Sequence, residues 1–207
     1  MSGIWAHVGA AAALGVALGA APGPVQLLIL SQSARRGLGG GVRVMLGANL
    51  TMYAILVGLS LGLAAAAPGE GALRVLRVAG GAVLGWIAAG ELRALWRPAE
   101  PDASGRWARL GPTSMGVVMV LLNPGAWIFF ATTASAVLAD SAADSGRAGA
   151  LLAATAMALG VSASDLSFTL LGSGGHRLFG ERGLRAIRTA LAAMLALIGV
   201  AFVIQGF

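Results

Sequence analysis

Six long apolar stretches, at about 4–31, 42–66, 73–96, 113–138, 148–171 and 184–205, follow one another along the 207 residues of this chain. Short charged or Gly/Pro-rich links separate them, the longest being 97–112. Each stretch can cross about 30 Å of hydrocarbon at about 1.5 Å per residue, so each is predicted to be a membrane-spanning helix. Residues 1–207 read as one integral membrane unit with no room for a soluble domain.

The first and fourth stretches are interrupted in similar ways. Pro22-Gly23-Pro24 breaks one and Asn123-Pro124-Gly125 breaks the other, 102 positions further on counting from Pro22 to Pro124. A small hydroxyl cluster follows each break: Ser31 and Ser33 in the first case, Thr132, Thr133 and Ser135 in the second. Proline removes a backbone donor and clashes with the preceding turn, freeing carbonyl groups that lipid cannot satisfy. Such backbone survives at membrane depth only under cover of protein or a water-filled cavity. The two breaks are therefore expected to meet near mid-membrane, and paired breaks of this kind point to the binding site of a transporter. Three spans per half is an odd number, so two related halves, about 1–100 and 101–207, run in opposite orientations. The predicted fold is an all-α membrane protein of six transmembrane helices, a 3+3 inverted repeat with broken helices 1 and 4.

Composition agrees with that class: 57% of the residues are hydrophobic and 11% charged, against about 25% charged in a soluble domain. Cysteine is absent, which excludes disulfides, thiolate metal sites and thiol redox chemistry. The net charge of +6 comes from arginines at span ends, which fits membrane topology rather than a nucleic-acid partner. Eleven of the 14 arginines flank the links after spans 1, 3 and 5, among them Arg36, Arg106 and Arg182. The other three are Arg74, Arg77 and Arg147. The positive-inside rule then places both termini outside the cytoplasm of a bacterial-type plasma membrane. No basic residue precedes the first apolar run, so that segment is expected to be a retained span rather than a cleaved signal.

Polar residues inside the spans are few, and each is a candidate. Asp165 is the only acid well inside a span, where a carboxylate costs about 2.5–3.5 kcal/mol on insertion scales. It is a proton carrier, a counter-ion for a substrate ammonium group, or a structural partner of Arg177, with Ser162, Ser164 and Ser167 at hand to bond it or line a wet cavity. Asn123 at the second break and Asn49 are buried amides that need partners where water is absent. Gln26 points from the first break, Tyr53 shares the face of Asn49 four residues on, and Trp127 follows the second break. Pro22, Gly23, Pro24, Gln26, Asn49, Tyr53, Asn123, Pro124 and Trp127 make up the expected substrate site, with Asp165 as proton-coupling group. Glu91 beside Arg93 reads as an interfacial ion pair, and Trp5, Trp86, Trp96 and Trp107 as interfacial or packing residues. Gly15, Gly19 and Gly23, then Gly58 and Gly62, then Gly81, Gly85 and Ala89 recur every four residues. These stripes serve close packing within the chain or a homodimer seam. His7 and His176 lie 169 positions apart, no metal-ligand spacing exists, and no P-loop, dinucleotide fingerprint or nucleophile elbow is present. No enzymatic activity, cofactor or metal is expected.

The run from Ala21-Pro22-Gly23-Pro24 through Ser33-Ala34-Arg35-Arg36-Gly37 to Leu46-Gly47-Ala48-Asn49 resembles the LysE/RhtB family of exporters. So do residues 76–90 as a third span and Asn123-Pro124, followed by aromatic residues, as a fourth-span motif. The likeness covers essentially the whole length. It implies a six-helix, proton-gradient-driven secondary exporter that expels amino acids or related small metabolites. Three positions depart from the family pattern: Asn49 where an acid is frequent, Gly125 where a lysine is frequent, and Val25 where a polar residue is frequent. Two of these remove charge from the expected site. The partners so implied are a small zwitterion, protons and the lipid bilayer. The competing readings are a metal-ion exporter of related fold, which the shortage of buried carboxylates disfavours, and a non-transporting membrane accessory subunit.

Overall fold

Lipid offers backbone N–H and C=O groups no partners, so a chain this apolar satisfies them within helices. The computed structural model describes residues 2–62, 70–96 and 111–206, and among these every element is helical. The order is α1 (Ser2–Ala20), α2 (Pro24–Arg36), α3 (Leu38–Ser60), α4 (Glu70–Trp96), α5 (Pro112–Leu121), α6 (Pro124–Phe129), a π-helical turn (Phe130–Ala134) and α7 (Ser135–Gly206). Among the described residues five stretches are long and apolar enough to cross a bilayer, and Pro112–Leu121 is a shorter apolar helix. The interruptions fall where the prolines predict: the first span is α1 plus α2, and the fourth is α5, α6, the π turn and the start of α7. The third link with Arg106 and Trp107, and the side chains of Glu91, Trp96, His176 and Arg177, lie outside the described residues.

The expected fifth and sixth spans both belong to α7, which is 72 residues long. It doubles back at Gly146, whose φ of +65° reverses the chain. A Cβ placed on Gly149 would stand 2.8 Å from the Ser141 carbonyl oxygen, although eight residues of straight helix span about 12 Å. A second reversal follows Gly172. That residue abuts Leu30 near the arginine-bearing end of α2, whereas Phe202 faces the same cavity as Asp165. The link between these spans, expected as a loop, is helical instead. The second expected span, 42–66, is shifted toward the N-terminus and begins directly after Gly37, whose φ of +70° allows a one-residue turn from α2.

Backbones meet at glycines, as expected where lipid gives helices no hydrophobic drive to associate. Gly15 of α1 sits on the Met157 carbonyl, and Gly160 faces the backbone of Ala12 and Val16. Gly116 of α5 sits on the Val44 carbonyl, and Gly47 of α3 on that of Thr113. Gly81 of α4 and Gly199 near the end of α7 each face the other's carbonyl oxygen, and Gly206 lies by Val78 and Arg74, so these two segments run antiparallel. Gly58 and Gly62, by contrast, have nothing within 4 Å of a Cβ. Two apolar clusters fill the interior, one around Met52, Leu56, Phe130 and Met157, the other around Leu28, Val44, Leu84 and Leu195. Trp5 (67%), Leu159 (66%) and Leu197 (70%) are exposed outward, the surface a bilayer covers.

Candidate functional site

The two breaks are built differently. At the first, Ala21 donates back to Ala17 O (3.2 Å) and Leu18 O (3.3 Å), and the chain extends through Gly23. Helix α2 restarts with Pro24 in its first turn, where a missing N–H costs nothing. Its first internal bond runs from Leu27 N–H to Gly23 O (3.0 Å), and no side chain caps the start. The N–H groups of Val25 and Gln26 therefore have no partner among the described residues. At the second break, Asn123 caps α6 with its own side chain, Oδ1 accepting from Gly125 N–H at 3.0 Å. The indole Nε1–H of Trp127 donates to Leu121 O at 2.8 Å, which satisfies a carbonyl left over where α5 ends.

Both breaks open on one cavity of about 340 Å³. Pro22, Gly23 and Pro24 line it from one side, Asn123 and Gly125 from the other, with Gln26, Asn49 and Asp165 between them. The rest of the wall is apolar, including Met52, Val120, Phe129, Phe130 and Phe202. Asp165 is the one charged side chain among the described lining residues.

Asp165 is fully buried. Its Oδ1 accepts from Gln26 Nε2 at 3.2 Å, across 139 positions of sequence. Its Oδ2 has no hydrogen-bond partner among the described residues. The serines expected to serve it are engaged elsewhere: Ser162 accepts from Asn49 Nδ2 (3.1 Å), Ser164 donates to Val16 O (2.9 Å) and Ser167 to Ala163 O (3.3 Å). Helical Ser and Thr hydroxyls at these depths bond the nearest free carbonyl, which removes them from the carboxylate.

Of the ten residues assigned to the site from sequence, seven line this cavity: Pro22, Gly23, Pro24, Gln26, Asn49, Asn123 and Asp165. Three do not. Tyr53 pairs its hydroxyl with Thr155 Oγ1 at 3.1 Å, Pro124 is buried at the start of α6, and Trp127 is turned to the Leu121 carbonyl. The hydroxyl clusters after the breaks are also off the wall. Ser31 and Ser33 are buried lower on α2, while Thr132 bonds Ile128 O (2.7 Å) and Ser135 bonds Phe130 O (2.6 Å) across the π turn. The wall residues that sequence reading missed, Met52, Val120, Phe129, Phe130 and Phe202, are apolar in an apolar chain and carry no contrast that would single them out. The π turn beside them, a form that recurs at functional sites, has no sequence signal either.

Comparison with known proteins points the same way. The sequence model of the LysE type translocator family matches residues 16–206. An uncharacterized membrane protein of Pseudomonas aeruginosa is 32% identical over 115 residues, which is 53% of this chain and 53% of that protein, so the match spans about half the length of each. No solved structure matches. With the family match extending over nearly all of a helical, multiply spanning chain, the protein belongs to the LysE type translocator family of membrane transport proteins.

Proposed function

We propose that this chain is a secondary-active exporter of amino acids or related small metabolites in the bacterial plasma membrane, driven by the proton gradient. The observation that carries the reading is the single cavity into which both helix breaks open, with the one deeply buried carboxylate on its wall. Broken helices near the bilayer midplane supply unpaired backbone groups for a polar substrate in a medium that offers no other donors. Asp165 is the proton-coupling group, because it lines the cavity, its Oδ2 has no hydrogen-bond partner among the described residues, and nothing else on the described wall titrates.

The halves act as an inverted pair in this reading. Under exchange of spans 1 and 4, 2 and 5, 3 and 6, the Gly15–Gly160 seam between spans 1 and 5 maps onto the Gly116–Gly47 seam between spans 4 and 2. The seam of spans 3 and 6 maps onto itself. Rocking of one half against the other then exposes the cavity to each side in turn.

An efflux screen tests the proposal. Cells expressing the chain and control cells are loaded with labelled amino acids, singly, and loss of label is followed with and without a protonophore. The expected outcome is faster loss of at least one amino acid than in the control, abolished by the protonophore. Equal loss from both cell types across the panel contradicts the proposal and favours the accessory-subunit reading.

A further inference from the structure

Two unsatisfied groups of opposite character belong to residues on the wall of the same cavity, and one residue joins them. The first turn of α2, a helix of 13 residues, presents the free N–H groups of Val25 and Gln26 beside Gly23. Orphan donors and the helix dipole together favour a negative group there. The fully buried Asp165 presents Oδ2, an acceptor without a partner. Gln26 spans the two: its N–H belongs to the helix start, and its side-chain amide holds Asp165 Oδ1 at 3.2 Å. Anion site and carboxylate therefore lie one side chain apart, a spacing suited to the two charges of an α-amino acid. The opposite helix start offers no second anion site, since Asn123 already occupies the Gly125 N–H.

Beyond these groups the wall is Met52, Val120, Phe129, Phe130 and Phe202, and Asp165 is its only charged side chain. A basic or acidic substrate side chain would be buried there without a counter-charge, which is costly. The volume of about 340 Å³ lies near the lower end of the roughly 300–1,000 Å³ typical of ligand pockets.

We infer that the cavity takes a single zwitterionic α-amino acid with an apolar side chain. Its carboxylate sits on the Val25 and Gln26 N–H groups at the start of α2, its ammonium on Asp165 Oδ2, and its side chain against the Phe129, Phe130 and Phe202 rings. This rests on the export reading above and gives it a substrate class and an orientation. The ammonium and the coupled proton compete for the same oxygen, so arrival of one displaces the other.

Competition against labelled leucine, measured on the purified full chain in liposomes, tests it. The competitors are leucine, its amino alcohol lacking the carboxylate, 4-methylpentanoate lacking the ammonium, lysine and glutamate. Leucine is expected to compete best, with each of the others at least about tenfold weaker, since each leaves a buried charge or donor unpaired. In Asp165→Asn the advantage of leucine over 4-methylpentanoate is expected to collapse to about twofold or less, whereas a merely structural Asp165 leaves the ranking intact. An amino alcohol as effective as leucine overturns the carboxylate site, an equally effective 4-methylpentanoate overturns the Asp165 contact, and equally effective lysine or glutamate overturns the apolar pocket. If leucine does not bind while the efflux screen finds another amino acid exported, this inference falls and the export reading stands. If nothing in that screen is exported, the export reading fails first.

Discussion

At Asn123 one side-chain oxygen decides where a helix begins. Pro124 cannot donate, so the first N–H of α6 that needs a partner is that of Gly125, and Asn123 Oδ1 supplies it. Asn123→Ala is expected to lower stability by about 1 kcal/mol, and Asn123→Asp or Asn123→Ser much less, because both keep an acceptor at the cap. Thermal unfolding in detergent reads the difference, and equal melting temperatures for the three variants contradict the capping role. The Asn-Pro-Gly string is a helix-start signal in its own right, yet from sequence Asn123 reads as a buried amide that needs a partner, either a freed backbone carbonyl or a bound substrate. Asp165 was legible because an acid inside a span is costly enough to demand a reason. Its bond to Gln26 was not, since the two are 139 positions apart and neither neighbourhood mentions the other. Trp127 and Tyr53 were placed correctly along their helices and still face away from the cavity. Spacing gives a helix face, but the hydrogen-bond partner decides where the polar tip goes, Thr155 for the Tyr53 hydroxyl and the Leu121 carbonyl for the Trp127 indole.

Among the elements, the glycine seams show which repeats matter. A Cβ on Gly160 would run into the Ala12 carbonyl of α1, a backbone atom with no freedom to move aside, whereas one on Gly58 meets nothing within 4 Å. Gly160→Ala is expected to cost about 1–3 kcal/mol by forcing α1 away from α7. Gly58→Ala is expected to leave stability unchanged or raise it by up to about 1 kcal/mol, through the entropy of the unfolded chain. Melting temperatures of the two variants in the same detergent check the pair, and a larger loss at Gly58 contradicts the seam assignment. The sequence displays Gly15, which sits on the Met157 carbonyl in the same seam as Gly160, and Gly58 in similar four-residue stripes and gives no means of separating them, because a stripe records one helix face and says nothing of its neighbour. The breaks in spans 1 and 4 were legible because proline acts locally. The helical link after Gly172 was not, because it holds no residue that forces one form over another.

For the whole molecule, the arginine count sets an orientation that remains to be measured. Arg35, Arg36 and Arg43 are exposed around the α2–α3 turn, and Arg182 and Arg185 are exposed beyond Gly172, the residue that packs on the same end of α2. Asp144 meets Gly3 near the start of α1, at the opposite end of the first span. The native chain has no cysteine, so single-cysteine variants report cleanly. Cysteine at position 36 or 182 is expected to react with an impermeant maleimide only after permeabilisation, and cysteine at position 144 in intact cells. The reverse pattern contradicts the orientation.

The coupling role of Asp165 is the claim on which the mechanism turns, and transport by reconstituted protein at matched levels tests it directly. Wild type and Asp165→Asn are each measured twice: for labelled amino acid moved against its gradient by an imposed proton gradient, and for exchange of label with no gradient. An amide keeps the shape and can still accept from Gln26 Nε2, but it cannot take up or release the proton. The account predicts that wild type performs both activities and that Asp165→Asn loses gradient-driven transport while still exchanging label once the substrate concentration is raised to offset its weaker ammonium contact. Undiminished gradient-driven transport by Asp165→Asn would contradict it.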